Sequence, residues 1–181
     1  MAWGDDLAEL ATTRGPALVG YAYLLTGSFD RSQDLVQEAL ARAYGRPRAG
    51  SDLTWTEAYV RRTILNVFLD GYRRDRLWAR RRHLFAAPAD TAPAASDHLA
   101  ASAADHVDLQ AALATLPPRE RACVVPRFYD DLTVPALAAR LGISEAVAKR
   151  CLSDGIRRLE SLLGPVEPVE TLEVQPVRSP R

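Results

Sequence analysis

The chain has 181 residues with 23 basic and 23 acidic side chains, and 48% of it is hydrophobic. This balance is typical of a folded globular protein and excludes a wholly disordered or collagen-like chain. The sequence has no apolar run long enough to cross a membrane and begins MAWGDDLAEL, without the basic start of a secretory signal. We therefore expect a cytoplasmic protein with no membrane insertion.

The zero net charge hides a strong segregation of charge along the chain. Residues 61–82 carry eight Arg and two Asp, a net charge of +6, whereas residues 83–118 carry four Asp and no basic residue. Residues 1–60 are net −3 and residues 119–163 are net +2. A basic element between acidic neighbours indicates a surface that binds a polyanion.

The first elements in the chain are predicted to be helical, because no alternating apolar run indicates a strand. Gly27 follows the apolar run 18–25 and is predicted to end one helix. Asp30 and Gln33 resemble a capping box that opens a helix over residues 34–44. This helix is predicted to bury Val36, Ala39, Leu40 and Ala43 and to expose Asp34, Gln37, Glu38 and Arg42.

A longer helix is predicted over residues 57–82, and its two faces differ sharply. The apolar arc holds Val60, Ile64, Leu65, Val67, Phe68, Leu69 and Tyr72. The opposite arc holds Arg62, Thr63, Asn66, Asp70, Arg73 and Arg74, while Arg61 stands on the apolar side. Like charges on neighbouring turns repel each other. The uniform sign therefore favours contact with nucleic acid over a merely solvated charged face.

The middle of the chain divides it into two parts. Residues 86–104 are mostly Ala, Pro, Ser and Asp, and such a segment buries too little apolar surface to offset its ordering entropy. We predict a domain at residues 1–84, a flexible linker at 85–106, a second domain at 107–163 and a Pro-rich extended tail at 164–181. The predicted fold class is all-α, with two small helical domains joined by the linker.

The second predicted domain carries a helix-turn-helix pattern. Thr133 is predicted to cap a helix that starts at Val134, Gly142 to make the turn, and Ser144 to cap a second helix from Glu145. The first helix would bury Leu137, Ala138 and Leu141, and the second Ala148, Cys151, Leu152, Ile156, Leu159 and Leu163. A basic second helix with a capped N-terminus is typical of motifs that enter the major groove of DNA.

The remaining chemistry-bearing residues do not indicate a catalytic or metal site. Two cysteines, Cys123 and Cys151, are too few for a disulfide framework or a zinc site built from cysteine alone. The three histidines do not stand near them in ligand spacing, and no Gly-rich phosphate loop or nucleophile–base pattern is visible. We expect no enzyme activity, no cofactor and no metal.

Three segments together resemble the extracytoplasmic-function group of bacterial RNA polymerase sigma factors, in the sigma-70 family, and especially its actinobacterial sigma-E-like members. Residues 21–44 resemble the second conserved region with its polymerase-clamp helix, and residues 57–76 resemble the helix that melts the promoter and reads its minus-ten element. Residues 112–159 resemble the fourth region with its helix-turn-helix for the minus-thirty-five element. Two domains in the family's order make the resemblance specific.

The resemblance implies a role for particular residues and partners. Core RNA polymerase would be bound by Asp34, Leu35, Gln37 and Glu38. The minus-ten element of promoter DNA would be bound by Arg62, Asn66, Asp70, Arg73 and Arg74. The loop 45–55 and Tyr59 would supply stacking surfaces for flipped bases, although a tryptophan such as Trp55 is more often a core residue than a stacking platform. The minus-thirty-five element would be bound by Thr133, Ser144, Glu145, Lys149, Arg150 and Arg157. Family members are commonly held by an anti-sigma factor, which adds a further implied partner.

The chain departs from the family pattern in the second domain. Pro126 replaces an aliphatic residue inside a helix, Val147 stands where threonine is common, and Cys151 and Asp154 where arginine is common. These changes predict a weak reader of the minus-thirty-five element, and the zero net charge predicts weak DNA binding without polymerase. Two alternatives stay open: a helix-turn-helix regulator that acts without polymerase, and a degenerate sigma-like protein that sequesters a partner.

Overall fold

The computed structural model describes residues 3–46, 52–82 and 104–164, with side chains described at 3–46, 52–75 and 109–164. These residues form helices and no strand, which confirms the predicted all-α class. The helices are α1 (Trp3–Thr26), α2 (Phe29–Tyr44), α3 (Leu53–Arg82), α4 (Ala104–Thr115), α5 (Pro118–Tyr129), α6 (Val134–Leu141) and α7 (Glu145–Leu163).

Helices α1, α2 and α3 pack on one another as an N-terminal bundle, and α4 to α7 form a C-terminal bundle. The division at residues 84 and 107 stays a prediction, because residues 83–103 lie outside the described part of the chain. Helix α4 already begins at Ala104, so the last residues of the predicted linker are helical. The predicted tail lies outside the described residues beyond Gly164.

The apolar faces predicted from periodicity are confirmed. In α2, Val36, Ala39 and Ala43 are buried, and in α3 so are Val60, Ile64, Leu65 and Val67. In α6 the buried residues are Leu137, Ala138 and Leu141, as predicted. In α7, Ala148 and Leu152 are buried and Cys151, Ile156 and Leu159 are half-buried, as predicted, but Leu163 is exposed at the end of the helix.

The predicted starts of α2 and α3 were wrong by several residues. Helix α2 begins at Phe29 rather than at Asp34, with Ser28 as its N-cap, so Asp30 already lies in its first turn. A different hydroxyl cluster joins α1 to α2: the buried Ser32 Oγ lies 2.7 Å from Thr26 Oγ1 and donates to Ser28 O at 2.6 Å. Gly27 ends α1 as predicted, with φ +69°.

Helix α3 begins at Leu53 rather than at residue 57, because Asp52 supplies a cap that the predicted boundary missed. The Oδ1 atom of Asp52 accepts a hydrogen bond from the Trp55 backbone amide at 2.7 Å. Asp is one of the residues that best satisfy the free amides at a helix start. The extra turn brings Trp55 onto the helix and fixes its direction relative to Tyr59.

The C-terminal bundle is organised around a close crossing of α5 and α7. Gly155 is buried in α7, and a Cβ atom built there would lie 2.8 Å from Val124 Cγ2 and 3.4 Å from Glu120 Cβ. Glycine therefore permits an approach of the two helices that any larger side chain would push apart. Sequence periodicity does not indicate this role, because the spacing of apolar residues carries no information on how closely two helices approach.

Pro126 lies inside α5, as the sequence required, but near its C-terminal end. The helix continues through it to Tyr129, and the Asp130 amide donates to Pro126 O at 3.2 Å. Proline lacks an amide donor, so the Ala122 carbonyl loses its partner one turn earlier. Because the proline is fully buried and only three helical residues follow it, the disruption stays local.

Candidate nucleic-acid interface

Five residues predicted to bind the minus-ten element form one stripe along α3, which we call the basic stripe. They are Arg62, Asn66, Asp70, Arg73 and Arg74. Arg62, Asn66, Arg73 and Arg74 are exposed and Asp70 is half-buried. Steps of three and four residues keep side chains on one helix face, so the stripe is continuous. It presents three guanidinium groups and one amide to solvent.

The single carboxylate of the stripe is held by two arginines. Asp70 Oδ1 accepts from Arg73 Nη1 and Asp70 Oδ2 from Arg42 Nη1, each at 3.3 Å. Arg42 also donates to Glu38 Oε1 at 2.7 Å. Desolvation lowers the pKa of Arg42, but its hydrogen bonds with Glu38 and Asp70 outweigh this and raise the pKa above its ordinary value. Asp70 therefore positions Arg73 within the stripe and Arg42 beside it.

Arg42 is a residue of this surface that the site prediction omitted. The sequence placed it only on the exposed face of α2, and its four-residue spacing from Glu38 permits an ion pair within that helix. Its second partner, Asp70, is 28 residues away in sequence, and no pattern within either helix indicates that contact. The chain Glu38–Arg42–Asp70–Arg73 thus joins the outward face of α2 to the basic stripe of α3.

The residues predicted to bind polymerase divide between surface and core. Asp34, Gln37 and Glu38 are exposed along α2. Leu35 points inward: it is 9% exposed and belongs to the hydrophobic core. Its side chain therefore supports the packing of α2 against its neighbours, and the outward surface is formed by the three polar residues.

Aromatic side chains lie at the start of α3. Trp55 and Tyr59 are stacked, with ring centroids 5.5 Å apart and planes inclined by 7°. Trp3 packs edge-on against both and donates from its indole nitrogen to Ala43 O at 2.9 Å. Trp55 nevertheless remains 43% exposed. The structure thus presents a flat, rigidly backed ring to solvent, as a stacking surface requires.

The helix-turn-helix forms as predicted, with both caps in place. Thr133 Oγ1 accepts from the Ala136 amide and Ser144 Oγ from the Val147 amide, each at 3.4 Å. Gly142 makes the turn with φ +64°, a conformation that glycine adopts readily. The predicted DNA-binding residues Thr133, Ser144, Glu145, Lys149, Arg150 and Arg157 are all exposed.

Much of the positive charge of α7, the recognition helix, is compensated by carboxylates. Arg157 Nη1 lies 3.7 Å from Asp154 Oδ1, and Arg158 Nε lies 3.0 Å from Glu120 Oε2. Lys149 and Arg150 stand one turn past the capped start, where Glu145 adds a negative charge. Helix α7 carries four basic and three acidic residues, a net charge of +1, compared with +2 for the five residues of the basic stripe.

The described part of the chain offers little for a metal, a membrane or a reactive thiol. No group of three His, Cys, Asp or Glu side chains there could hold a metal ion. No helix among the described residues has the length and hydropathy needed to cross a membrane. Cys123 is buried, and burial together with the neighbouring Cys151 raises the pKa of its thiol, so it remains protonated.

Comparison with known proteins agrees with this geometry. The family model for sigma-70 region 2 matches residues 10–77, and the model for sigma-70 region 4 matches residues 112–160. The two matched ranges contain the basic stripe and the helix-turn-helix, respectively.

Named relatives are similar to this chain over most of its length. The RNA polymerase sigma-E factor of Streptomyces avermitilis is 33% identical over 166 residues, which cover 90% of this chain and 89% of that protein. The sigma-E factor of Streptomyces coelicolor is 32% identical over 87% of this chain and 86% of its own length. The ECF sigma factor SigE of Mycolicibacterium smegmatis is 30% identical over 90% of this chain and 65% of its own length.

A solved structure has the same fold. It is the sigma factor RpoE of Bartonella quintana in complex with the anti-sigma factor NepR, with a TM-score of 0.62 and 24% identity over 90% of this chain and 99% of that one. Two family regions in order, relatives that are similar over most of this chain and a shared fold all lead to one assignment. The chain belongs to the extracytoplasmic-function group of the sigma-70 family of RNA polymerase sigma factors.

Proposed function

We propose that this sigma factor binds core RNA polymerase and directs it to a specific set of promoters. The observation that carries the proposal is the continuity between the outward face of α2 and the basic stripe of α3, made by the ion pairs of Arg42 and Asp70. A surface for polymerase beside a surface for DNA is what a promoter-selecting subunit needs, because the two must be engaged at once.

The basic stripe would hold the non-template strand of the melted minus-ten element. Guanidinium groups of Arg62, Arg73 and Arg74 suit phosphate contacts, and Asn66 can donate to and accept from base edges. The exposed ring of Trp55, backed by Tyr59, would stack on an unpaired base. Each of these groups acts on single-stranded DNA, which polymerase provides by opening the duplex.

The recognition helix would bind the minus-thirty-five element through Glu145, Lys149 and Arg150 around its capped N-terminus. Arg157, which is paired with Asp154, would add a weaker phosphate contact. We infer from this compensation that duplex DNA binds weakly to the free protein. Affinity for promoters would then come largely from polymerase, which also binds DNA in the complex.

Three further features belong to the same proposal. The protein would work in the cytoplasm, where polymerase and the chromosome are. It would itself catalyse no reaction, since the chemistry of transcription belongs to polymerase. An anti-sigma factor would control it, by analogy with the Bartonella sigma factor, which is in complex with the anti-sigma factor NepR.

The test is reconstitution of the full chain with core polymerase, followed by transcription from a library of genomic promoter fragments. Promoter-specific transcripts that require this chain are the expected result. Duplex binding of comparable strength with and without polymerase would instead favour an independent helix-turn-helix regulator. Tight binding to a sigma or anti-sigma partner with no transcript would favour a sequestering protein.

A further inference from the structure

An open groove runs along the recognition helix where α7 meets α6, and we call it the α7 groove. Its volume is about 460 Å³. The apolar part of its lining is formed by the buried Leu152 and the half-buried Val134 and Ile156. Lys149 and Arg157 line it as well, and both are exposed. The α7 groove therefore combines apolar surface with positive charge.

The N-terminal bundle leaves this groove uncovered. It packs against α4 and α5, where Arg121 of α5 donates through Nη1 to Leu25 O at 2.8 Å, near the C-terminal end of α1. The residues that line the α7 groove belong to α6 and α7, and no described residue of α1, α2 or α3 is among them. The groove is thus accessible to a segment that lies outside the described part of the chain.

The chain leaves α7 close to one end of the groove. Gly164 follows the helix with φ +79°, a conformation that glycine adopts readily and that turns the chain out of the helix. Pro165 comes next and cannot continue the helix. The residues after Gly164 are therefore tethered beside the groove. Tethering gives them a high effective concentration, so that modest contacts suffice for binding.

The sequence of this tail repeats with a period of three. Val166, Val169 and Leu172 are each followed directly by a glutamate. A polyproline II helix has three residues per turn, so the segment would carry its apolar side chains along one edge and its carboxylates along the next. Residues 164–174 contain these three carboxylates and no basic residue. An apolar edge beside an acidic edge is complementary to the α7 groove.

The spacing of charges also agrees. Measured along α7 from Gly164, Arg157 is roughly 10 Å away and Lys149 roughly 22 Å, at the helical rise per residue. A tail that turns back in the extended polyproline II form would place Glu167 roughly 9 Å and Glu170 roughly 19 Å from Gly164. Each glutamate would then lie beside one of the two basic residues.

The same register accommodates the acidic residue of the groove. Glu160 lines the groove roughly 6 Å from Gly164, close to the point where the tail leaves the helix. Val166 stands at roughly that distance in an extended tail. Glu160 would therefore face an apolar side chain rather than another carboxylate.

We propose that residues 166–173 fold back along α7 and occupy the α7 groove, with their apolar edge on its apolar lining and their glutamates beside its basic residues. The docked tail covers Lys149 and Arg157 and competes with DNA phosphates for them. The tail thus lowers the affinity of the free protein for duplex DNA. This consequence rests on the proposed function, which assigns Lys149 and Arg157 to the minus-thirty-five element. On polymerase, promoter DNA held next to the helix displaces the tail.

The contact can be tested without DNA or polymerase, because Lys149 is the only lysine of the chain. A carbodiimide activates carboxylates, and an amine in contact with one displaces the activating group as a urea and forms an amide. We expect amides between Lys149 and Glu170 or Glu173 in the dilute full-length chain, located by tandem mass spectrometry. Absence of these cross-links would overturn the docking. Cross-links confined to covalent dimers would overturn it too, by assigning the groove to the tail of a second copy.

A pair of tail variants tests the period of three and leaves the bundles unchanged. Val169→Ser with Leu172→Ser removes most of the apolar edge, and we expect the cross-link yield to fall about fivefold. Val174→Ser with Val177→Ser makes the same kind of change on a different edge of the tail and should keep the wild-type yield. Equal yields from the two double variants would contradict docking through the apolar edge.

The effect on DNA binding is tested by a charge-matched pair of triple variants. The tail variant removes all three tail carboxylates: Glu167→Gln, Glu170→Gln and Glu173→Gln. The control removes three exposed carboxylates outside α7 and the tail: Glu9→Gln, Asp30→Asn and Asp131→Asn.

In a mobility shift with a minus-thirty-five duplex, the tail variant should bind about fivefold more tightly than the control. Equal affinities would overturn the competition between tail and DNA. If wild type and both variants all failed to bind duplex and to support transcription with polymerase, the proposed function would be refuted. The cross-links to Lys149 would still report whether the tail docks.

Discussion

The basic stripe and the recognition helix are both proposed to contact DNA, but the helices that carry them differ in net charge. In the basic stripe, Asp70 pairs with Arg73 and with Arg42, whose second partner is Glu38, so these two carboxylates compensate two arginines, and Arg62 and Arg74 add further positive charge. In the recognition helix, Asp154 pairs with Arg157 one to one, and Glu120 of α5 takes Arg158. Helix α3 carries eight arginines against three carboxylates, whereas α7 carries four basic residues against three carboxylates, so the larger surplus of positive charge lies on α3.

This difference indicates a division of labour. Phosphate contacts supply most of the sequence-independent affinity for nucleic acid, and each one adds salt dependence. Because the surplus of positive charge lies on the helix of the basic stripe, we expect promoter affinity to depend more on the minus-ten element than on the minus-thirty-five element. Substitutions on the two surfaces and in their supports test this division directly.

The largest effect is expected from Gly155→Ala, which disturbs the packing of the recognition helix α7 against α5. The added methyl group would meet Val124 and force α5 and α7 apart. Overpacking typically costs about 1–3 kcal/mol and outweighs the helix-propensity gain of about 1 kcal/mol. We expect the free energy of unfolding to fall by about 1–2 kcal/mol, measured by guanidinium titration. Gly20→Ala, where nothing lies within 4 Å, should instead stabilise the protein.

The next effect should come from Arg73→Ala combined with Arg74→Ala. Loss of two phosphate contacts would lower open-complex formation about tenfold and flatten its salt dependence, since each contact to a single strand adds about 0.7 to the slope. Permanganate reactivity of the melted promoter over a salt series gives both quantities. Arg14→Ala with Arg127→Ala removes the same charge elsewhere and should change neither. Unaltered open complexes at every salt concentration would remove the stripe from its DNA-binding role.

A smaller loss is expected from Lys149→Ala combined with Arg150→Ala. The double variant should lower transcription about fivefold, from loss of two contacts on a surface with little surplus charge. The measurement compares promoters with intact and scrambled minus-thirty-five elements. The variant should lose its preference for the intact element. A loss larger than that of the Arg73 and Arg74 variant would reverse the proposed division of labour.

The smallest effect, and a gain, should come from Asp154→Asn. It removes a negative charge from the recognition helix and frees Arg157 for phosphate, so duplex affinity should rise about threefold. Electrophoretic mobility shift of a minus-thirty-five duplex measures the change. Asp131→Asn makes the same charge change in the same bundle but away from α7 and should leave affinity unchanged. Equal gains from both variants would mean that only net charge matters.

Periodicity was sufficient for much of this fold. The buried faces of α2, α3 and α6 follow from apolar spacing, and the caps at Thr133 and Ser144 follow from residue type at a helix start. These features depend on a few neighbouring residues, which is why a single sequence predicts them. The capping box at Asp30 failed because Ser32 and Thr26 satisfy the turn in another way.

Contacts between distant residues could not be predicted in the same way. Arg61 stands on the apolar arc of α3 because it forms an ion pair with Asp130, and Arg42 belongs to the site because it forms an ion pair with Asp70. In both pairs the partner lies outside the helix that carries the arginine. Leu35 was assigned to the polymerase surface by resemblance, yet its side chain packs inward. The pattern of residue types along one helix indicates which of its faces is buried. It does not indicate which other helix that face contacts.

The hydrogen bond from Arg121 to the Leu25 carbonyl also has a consequence for synthesis of the protein. The two residues are 96 positions apart, so at translation rates of ~5–20 residues per second the acceptor is made roughly 5–20 s before its donor. During that interval the nascent N-terminal bundle has the rings and carbonyls around Tyr21 and Leu25 uncovered. A chaperone that binds apolar surface would have its best opportunity there, before α5 leaves the ribosome.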